Sequence, residues 1–229
     1  MLRYIDSNKM GRSQLGWLDS YFHFSFAEYC DPNNVQFGVL RVLNDDRVQP
    51  GTGFEIHPHR DMEIVSYVVE GELSHADSMK NEETLTRGQV QYMSAGTGVY
   101  HSELNHGEKL LRFLQIWILP DKKGHEPNYG SQRFALEDRR NRWFFIASGS
   151  DKAPIRVHAD INMYAALLDK KLNFKVGPNR QAYMVMIEGS GDVNGTRLST
   201  RDAAEIVEED VTVTPSEPVH LIAIEMAKA

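Results

Sequence analysis

The sequence predicts an all-β protein built from two β-barrels in tandem. Short segments rich in Val, Ile, Phe, Tyr and Trp, each bounded by turn residues, recur along the chain of 229 residues. Many of their centres lie roughly ten residues apart, a spacing typical of β-sandwiches and barrels. No segment keeps a 3.6-residue period for long, although residues 134–142 suit a short surface helix. Strands are predicted at residues 35–43, 63–69, 89–93, 111–118, 143–147, 163–168, 182–187, 203–207 and 219–224.

A faint internal repeat supports two barrels. Glu70-Gly71 is followed by a Leu-Thr-Arg-Gly turn at residues 85–88 and then a strand, and Glu188-Gly189 is followed by a related turn at residues 198–202 and a strand. The Pro- and Gly-containing segment 120–130 marks the junction. We therefore expect an N-terminal barrel over residues 1–125 and a C-terminal barrel over residues 126–229.

A hairpin is predicted inside the second barrel. Asn194 and Gly195 lie between two strand-like stretches. Both residues tolerate the positive φ of a type I′ turn, so a tight two-residue connection is expected here.

Two pairs of metal-binding side chains stand out in the first half. His57-Pro58-His59 places two imidazoles on one face of an extended strand, because residues two apart point the same way. His101-Ser102-Glu103 repeats this geometry after a glycine-rich turn. An isolated His-x-His pair is common on protein surfaces, but two such pairs on adjacent strand ends can enclose one ion. Three nitrogens and a carboxylate suit Fe, Ni, Cu, Mn or Zn and leave positions open for water or substrate.

The second barrel is expected to hold no metal. Counting the same steps from the repeated turns reaches Lys175, Gly177, Pro215 and Glu217. Of these four residues, only Glu217 is a possible metal ligand. The chemistry is therefore assigned to the first half.

Other histidines and the single cysteine have weaker support as residues of the site. His23 lies among aromatic residues and is interpreted as packing against the barrel, with a place in the site as the alternative. Cys30 has no activating partner in the sequence and is interpreted as inert. The remaining histidines, which lack a second donor in a comparable framework, are interpreted as solvated or structural: His75, His106, His125, His158 and His220.

These motifs resemble those of a known family. Residues 51–71 resemble the first cupin motif and residues 88–105 the second. The sequence of residues 57–63, the Met-Ser-Ala-Gly-Thr-Gly stretch at 93–98 and His-Ser-Glu at 101–103 look like the pirin family. Residues 16–26 and 41–46 resemble its bacterial members. Ser94 stands where the second cupin motif usually has proline, and two extra residues separate Gly96 from His101.

The resemblance implies a bicupin, with two jelly-roll barrels and one divalent metal ion in the first. The ligands it implies are His57, His59, His101 and Glu103, and the metal it favours is iron, with Cu, Ni, Mn and Zn left open. Many cupins instead use the glutamate of the first motif, here Glu63. We prefer Glu103, because it shares a strand face with His101.

The family also implies an activity. Bacterial pirin-like proteins are associated with quercetin 2,3-dioxygenase, so we expect a flavonol substrate and O2, with CO released. Glu103 is the expected general base for the 3-hydroxyl of the flavonol. Residues expected from their position near the motifs to line the pocket are Phe37, Phe54, Met62 and Tyr92. The alternatives are a redox-sensing regulator that binds a protein partner, and a different cupin enzyme such as a metal-dependent isomerase.

Composition limits the binding partners and the cellular compartment that we expect. The formal net charge of −7 disfavours direct contact with nucleic acid, which normally requires a basic face. The single cysteine excludes an internal disulfide and fits a reducing compartment. No apolar stretch has the length of a signal peptide or a membrane span. A monomeric cytoplasmic protein is expected.

Overall fold

The structure is a computed structural model that describes residues 1–150 and 152–228. Nearly all regular structure in these residues is β, which confirms the predicted fold class. Two short 3₁₀ helices are present, Ser7–Lys9 and Leu136–Arg139, and the second lies inside the segment predicted as a surface helix. Within the described ranges, no helix has both the length and the apolar character needed to cross a membrane.

The strands in chain order are β1 (Leu2–Ile5), β2 (Gly11–Gln14), β3 (Leu18–Phe22), β4 (Leu40–Val48), β5 (Thr52–His59), β6 (Glu63–Glu70), β7 (Glu72–Asp77), β8 (Glu82–Thr86), β9 (Val90–Ser94), β10 (Val99–Asn105), β11 (Leu111–Ile118), β12 (Asn128–Gln132), β13 (Phe144–Ser148), β14 (Ile155–Arg156), β15 (Ile161–Leu168), β16 (Leu172–Phe174), β17 (Arg180–Glu188), β18 (Ser190–Val193), β19 (Thr196–Ser199), β20 (Ala203–Val207), β21 (Val211–Pro215) and β22 (Val219–Ala227).

The chain forms two compact units. The N-terminal unit consists of Met10–Phe134 and Val157–Ala159. The C-terminal unit consists of the described residues of Met1–Lys9, Ala135–Arg156 and Asp160–Ala229. The division therefore differs from the expected boundary at residue 125. Strand β12 belongs to the first unit because it pairs with β9, and β1 belongs to the second because it pairs with β20.

Each unit is a jelly roll of one seven-stranded and one four-stranded sheet. The N-terminal unit has the orders β12-β9-β6-β11-β4-β3-β2 and β5-β10-β7-β8. The C-terminal unit has the orders β1-β20-β17-β22-β15-β13-β14 and β16-β21-β18-β19. The two orders correspond strand for strand, as expected for a bicupin.

One predicted strand is displaced. The segment predicted as a strand at residues 35–43 becomes β4 only from Leu40, and β4 then continues through the polar residues 44–47. This continuation was missed because Asn and Asp are poor strand formers. Pairing on both sides, with β3 and β11, holds these residues in the sheet.

The hairpin prediction is confirmed. Strands β18 and β19 pair with Val193 opposite Thr196. The two residues between them, Asn194 and Gly195, have φ values of +48° and +82°. Positive φ at both central positions is the mark of a type I′ turn.

Strand register corrects the positions that were matched between the two barrels. Gly71 and Gly189 both have positive φ at the turn between equivalent strands. Four residues later, His75 pairs with Glu103 in the first unit, and Val193 pairs with Val213 in the second. Glu103 therefore corresponds to Val213, and not to Glu217.

The other site positions follow from the same register. The positions equivalent to His57 and His101 are Phe174 and Val211, which pair with each other. All three equivalents belong to a buried apolar cluster that fills the C-terminal unit. The absence of metal from the second barrel stays a prediction, now with apolar residues at three of its four ligand positions.

Candidate metal centre

Two paired strands bring three histidines together. At the end of β5, His57 and His59 point to one face, on either side of Pro58. His101 lies directly opposite His57 in the neighbouring strand β10. One ligand nitrogen from each histidine lies within 4.8 Å of the others. The structure thus gathers the three histidines predicted from the sequence into one cluster.

The ring nitrogens are oriented for a common ion. Nδ1 of His57 lies 2.7 Å from the carbonyl oxygen of Glu55, which can only accept, so Nδ1 carries the proton and Nε2 keeps its lone pair. Nε2 of His57 lies 3.1 Å from Nε2 of His101. Two nitrogens bound at about 2.1 Å to one ion lie about 3.0–3.4 Å apart, depending on the angle between them. This donor pair therefore fits a first-row transition metal.

The electrostatics favour the ligand form of the imidazoles. Burial lowers the pKa of His59 to about 3, and the neighbouring rings of His101 and His57 act in the same direction. Burial, followed by the proximity of His57, lowers the pKa of His101 to about 3 as well. Both rings are therefore neutral at physiological pH, and neutral imidazole is the form that binds metals.

Glu103 lies beside this cluster and is held by three neighbours. Its side chain is buried, and its Oε1 accepts hydrogen bonds from Ser66 Oγ and Gln91 Nε2, both at 2.6 Å. Its Oε2 accepts a hydrogen bond from Gln115 Nε2. The compact ligand cluster contains the three histidines, and Glu103 is outside it. Glu103 as a fourth ligand stays a prediction.

Glu63, the alternative ligand, is occupied elsewhere. Its carboxylate is almost fully buried and accepts hydrogen bonds from Tyr92 Oη and Ser94 Oγ, both at 2.7 Å. The backbone N–H of His158 adds a third hydrogen bond at 2.9 Å. Glu63 thus anchors a neighbouring segment, and the preference for Glu103 as the ligand stays a prediction.

A β-bulge separates the histidine pair from Glu103. His101 pairs with His57, whereas Glu103, two residues on, pairs with Phe54, so β5 contains one extra residue here. Bulges re-aim side chains and are frequent beside active sites. This irregularity lets His101 and Glu103 keep one buried face of β10 while β5 continues at a changed register.

Three polar residues of the site were missed by the sequence analysis. Ser66, Gln91 and Gln115 occupy the centres of apolar strands, and all three are buried. They are paired across the sheet, with Ser66 between the other two. The available signal was a single polar residue inside each apolar run.

His75 packs between His101 and Tyr129, next to the histidine cluster. Its ring lies 5.5 Å from that of His101 and stacks on Tyr129 at 4.3 Å. Its Nε2 lies 3.1 Å from Asp77 Oδ2. These contacts fix the packing around His101, so His75 is structural, as predicted. His23 is buried outside the cavity lining, where burial lowers its pKa to about 4.

A cavity of about 690 Å³ opens against the histidines. His57, His59 and Glu103 line it, and Trp117 packs edge-on against His59 at 4.8 Å. The rest of the lining contains both polar and apolar or aromatic side chains, from β2, β3, β4, β5, β11 and the loops beside them. Of the four residues expected to line the pocket, Phe54 does so, whereas Phe37, Met62 and Tyr92 do not. Tyr92 instead binds Glu63.

Replacing Gly53 with alanine is expected to weaken metal binding and to lower the free energy of unfolding by roughly 1–3 kcal/mol. A Cβ at this position would lie 2.4 Å from the backbone oxygen of Glu103 and 2.7 Å from Cα of Leu104. Strand β5, which carries two of the histidines, would therefore have to move away from β10. Denaturant unfolding and metal titration measure the two effects.

The matched control is Gly51→Ala. Gly51 also has positive φ, at +69°, but a Cβ there would meet nothing within 4 Å. It therefore reports the backbone strain alone. Equal metal affinity in both variants would contradict a role for the close strand approach in positioning the histidines.

Asp46, at the floor of the cavity, is expected to make stability depend on pH. Burial raises the pKa of Asp46 to about 7, outweighing the hydrogen bond from Ser20, which acts in the opposite direction. Its contribution to stability is therefore fully present below about pH 4 and is lost as the pH rises through 7. The Asp46→Asn variant cannot ionise, so its stability relative to wild type should grow by roughly 1–3 kcal/mol between pH 5 and pH 8.

Urea unfolding of the metal-free protein at the two pH values checks this expectation. Replacement of an exposed carboxylate, Glu108→Gln, serves as the control and should show no such growth. A pH-independent difference for Asp46→Asn would mean that the carboxyl group does not titrate in this range.

Fold and site together define a bicupin with a histidine-rich metal centre in its N-terminal barrel. A family model described as Pirin matches residues 5–118, and one described as Quercetinase C-terminal cupin domain matches residues 145–226. The chain belongs to the pirin family.

Several known proteins are similar over almost the whole chain. A pirin-like protein of Caulobacter vibrioides is 41% identical over 225 residues, covering 96% of this chain and 97% of its own. Quercetin 2,3-dioxygenase of Escherichia coli K12 is 39% identical over 212 residues, covering 91% of both chains. The crystal structure of the bacterial pirin YhhW from Escherichia coli in complex with nickel(II) matches with a TM-score of 0.93 and 35% identity, covering all of both chains.

Proposed function

We propose that this protein is a metal-dependent quercetin 2,3-dioxygenase, which cleaves a flavonol with O2 and releases CO. The observation that carries the proposal is the cavity beside the three histidines. Its volume of about 690 Å³ falls within the range of about 300–1,000 Å³ that is typical of sites for small organic ligands. The activity for which the Escherichia coli relative is named supports the same substrate.

His57, His59 and His101 would hold the metal, with Glu103 as the fourth ligand. Iron is our first choice, and the nickel(II) complex of YhhW supports a divalent first-row ion. Such an ion, when bound, favours the anionic form of the substrate and supplies redox chemistry for the reaction with O2. The same proposal places the protein in the cytoplasm as a monomer.

Glu103 would accept the proton of the substrate's 3-hydroxyl group. It lines the cavity from β10, the strand that also carries His101. Its hydrogen bonds from Ser66, Gln91 and Gln115 all require an accepting oxygen, so they hold the carboxylate in one orientation. A base fixed in this way costs little reorganisation during proton transfer.

The aromatic walls would orient the substrate and exclude water. Trp17 and Phe54 make an edge-to-face pair with ring centres 5.3 Å apart, and both line the cavity. Phe26 packs edge-on against Trp117 at 5.4 Å. Flat aromatic ligands stack favourably on surfaces of this kind.

The test is the measurement of O2 uptake and CO release from quercetin. The protein is reconstituted separately with Fe, Cu, Ni and Mn, and the double variant His57→Ala/His101→Ala serves as the control. Turnover that depends on the metal and disappears in the double variant supports the proposal. If every metal form is loaded and none releases CO, the proposed activity is wrong, and a screen for protein partners becomes the next step.

A further inference from the structure

Two buried polar residues on β4 face the cavity and take no part in the proposed chemistry. Asn44 and Asp46 are each 2% exposed, and both line the cavity floor. Being two residues apart on one strand, they share a face. Asn44 lies opposite Gln115 in β11, and Asp46 lies opposite Ser20 in β3. Both residues therefore stand on the sheet that carries Gln115, facing the same cavity as the histidines.

The hydrogen bonding of this pair is incomplete. Oδ1 of Asp46 accepts a hydrogen bond from Ser20 Oγ. Oδ1 of Asn44 is buried and has no hydrogen-bond partner among the described residues. Buried polar atoms are normally paired, and an unpaired one in a cavity is commonly completed by water or by a ligand.

The chemistry of the missing partner follows from these atoms. The unpaired atom, the carbonyl oxygen of Asn44, accepts hydrogen bonds, so its partner has to donate. The neighbouring walls, which include Phe22 and Phe26, are aromatic. A hydroxyl group on an aromatic ring satisfies both requirements, because its O–H donates to the acceptor while its ring packs on the aromatic walls.

We propose that Asn44 and Asp46 form a subsite for phenolic hydroxyl groups on a substrate ring that does not carry the reacting 3-hydroxyl. This inference rests on the proposed flavonol substrate, and it adds which flavonols the protein would prefer. The subsite would select polyhydroxylated flavonols over those whose outer rings lack hydroxyl groups. Sites built to bind a hydroxyl group discriminate strongly against analogues without one, because the buried acceptor is then left unpaired.

Equilibrium binding tests the subsite without turnover. Metal-loaded protein is titrated anaerobically with quercetin and with 3-hydroxyflavone, which keeps the 3-hydroxyl but has no hydroxyl groups on its outer rings. Quenching of tryptophan fluorescence reports binding, because Trp17 and Trp117 line the cavity. Asn44→Leu, which keeps the side-chain size but removes the acceptor, should weaken quercetin binding about 10- to 100-fold. Binding of 3-hydroxyflavone should change by less than about threefold.

Two further variants complete the design. Asp46→Asn keeps an acceptor for Ser20 but replaces the carboxylate, and it should weaken quercetin about tenfold while sparing 3-hydroxyflavone. If Asn44→Leu does not fold, the Asp46→Asn variant by itself tests the subsite. Leu15→Ala removes apolar surface from the cavity rim and should affect both ligands by the same factor.

The possible outcomes test the subsite independently of the proposed dioxygenase activity. Equal weakening of both ligands by Asn44→Leu and by Asp46→Asn, or no weakening of either, overturns the subsite. Selective weakening of quercetin supports it, even if the wild-type protein releases no CO and the proposed activity fails. Conversely, CO release from quercetin with unselective variants leaves the activity standing and removes the subsite.

Discussion

The His101→Ala variant is expected to lose its bound metal and, with it, all detectable flavonol turnover. The ring centre of His101 lies 4.5 Å from that of His57 and 4.9 Å from that of His59, so its removal takes away one of the three clustered ligands. Changes to the residues that merely orient ligands typically cost 10–100-fold in metal affinity. Loss of a ligand should cost at least about 100-fold. Metal content after dialysis and CO release from quercetin are the measurements.

The matched control is His106→Ala. His106 is exposed, lies one residue beyond the end of β10, and does not line the cavity. This variant should retain both metal and turnover. Full metal content in His101→Ala would contradict the assignment of the three histidines as the metal centre.

The second large effect is expected for Glu103→Gln, which should lower kcat by about 10²–10⁴-fold, the usual contribution of a general base. The three histidines should still bind the metal at saturating concentration, but more weakly, because the variant replaces the proposed fourth ligand. An amide at this position also turns an N–H group towards Gln91 or Gln115, which themselves donate, so the variant should lose roughly 1–3 kcal/mol of stability. Steady-state kinetics, metal content and denaturant unfolding separate the three effects.

Glu63→Gln provides the comparison. Glu63 is an equally buried carboxylate with three hydrogen-bond donors of its own, but it does not line the cavity. It should lose stability while its folded fraction keeps normal kcat. Unchanged flavonol turnover in metal-loaded Glu103→Gln would mean that Glu103 is not the base. A large drop in its metal affinity would support Glu103 as a ligand.

Much of the fold was predictable because jelly-roll strands are short and apolar. Glu63–Glu70 and Leu111–Ile118 match the predicted strands within one residue, since nearly every side chain in them is buried. The limits of β4 were not predictable, because its polar residues are held by partners that are distant in sequence. Arg112, for example, forms a buried ion pair with Asp45.

The candidate site, like the fold, was predictable from the sequence only in part. The histidines were predictable because their x, x+2 spacing is a local pattern, which strand geometry converts directly into a shared face. The amide and hydroxyl groups around Glu103 come from β6, β9 and β11, and their convergence depends on the register of two strand pairs. No local pattern contains that register. Nor could counting along the sequence find Val213, because Glu103 lies 15 residues beyond Gly88, whereas Val213 lies only 11 beyond Asp202.

The pairing of β1 with β20 has a consequence for how the chain is made. Arg3 and Glu205, which form an ion pair across these two strands, are 202 residues apart in sequence. At typical rates of translation, roughly 10–40 s pass between the synthesis of the two. Most of the N-terminal unit is contiguous, so it can reach its native pairing on the ribosome during this interval. Strand β1 cannot find its place until β20 has been made, so the C-terminal unit gains this edge strand long after β1 itself is synthesised.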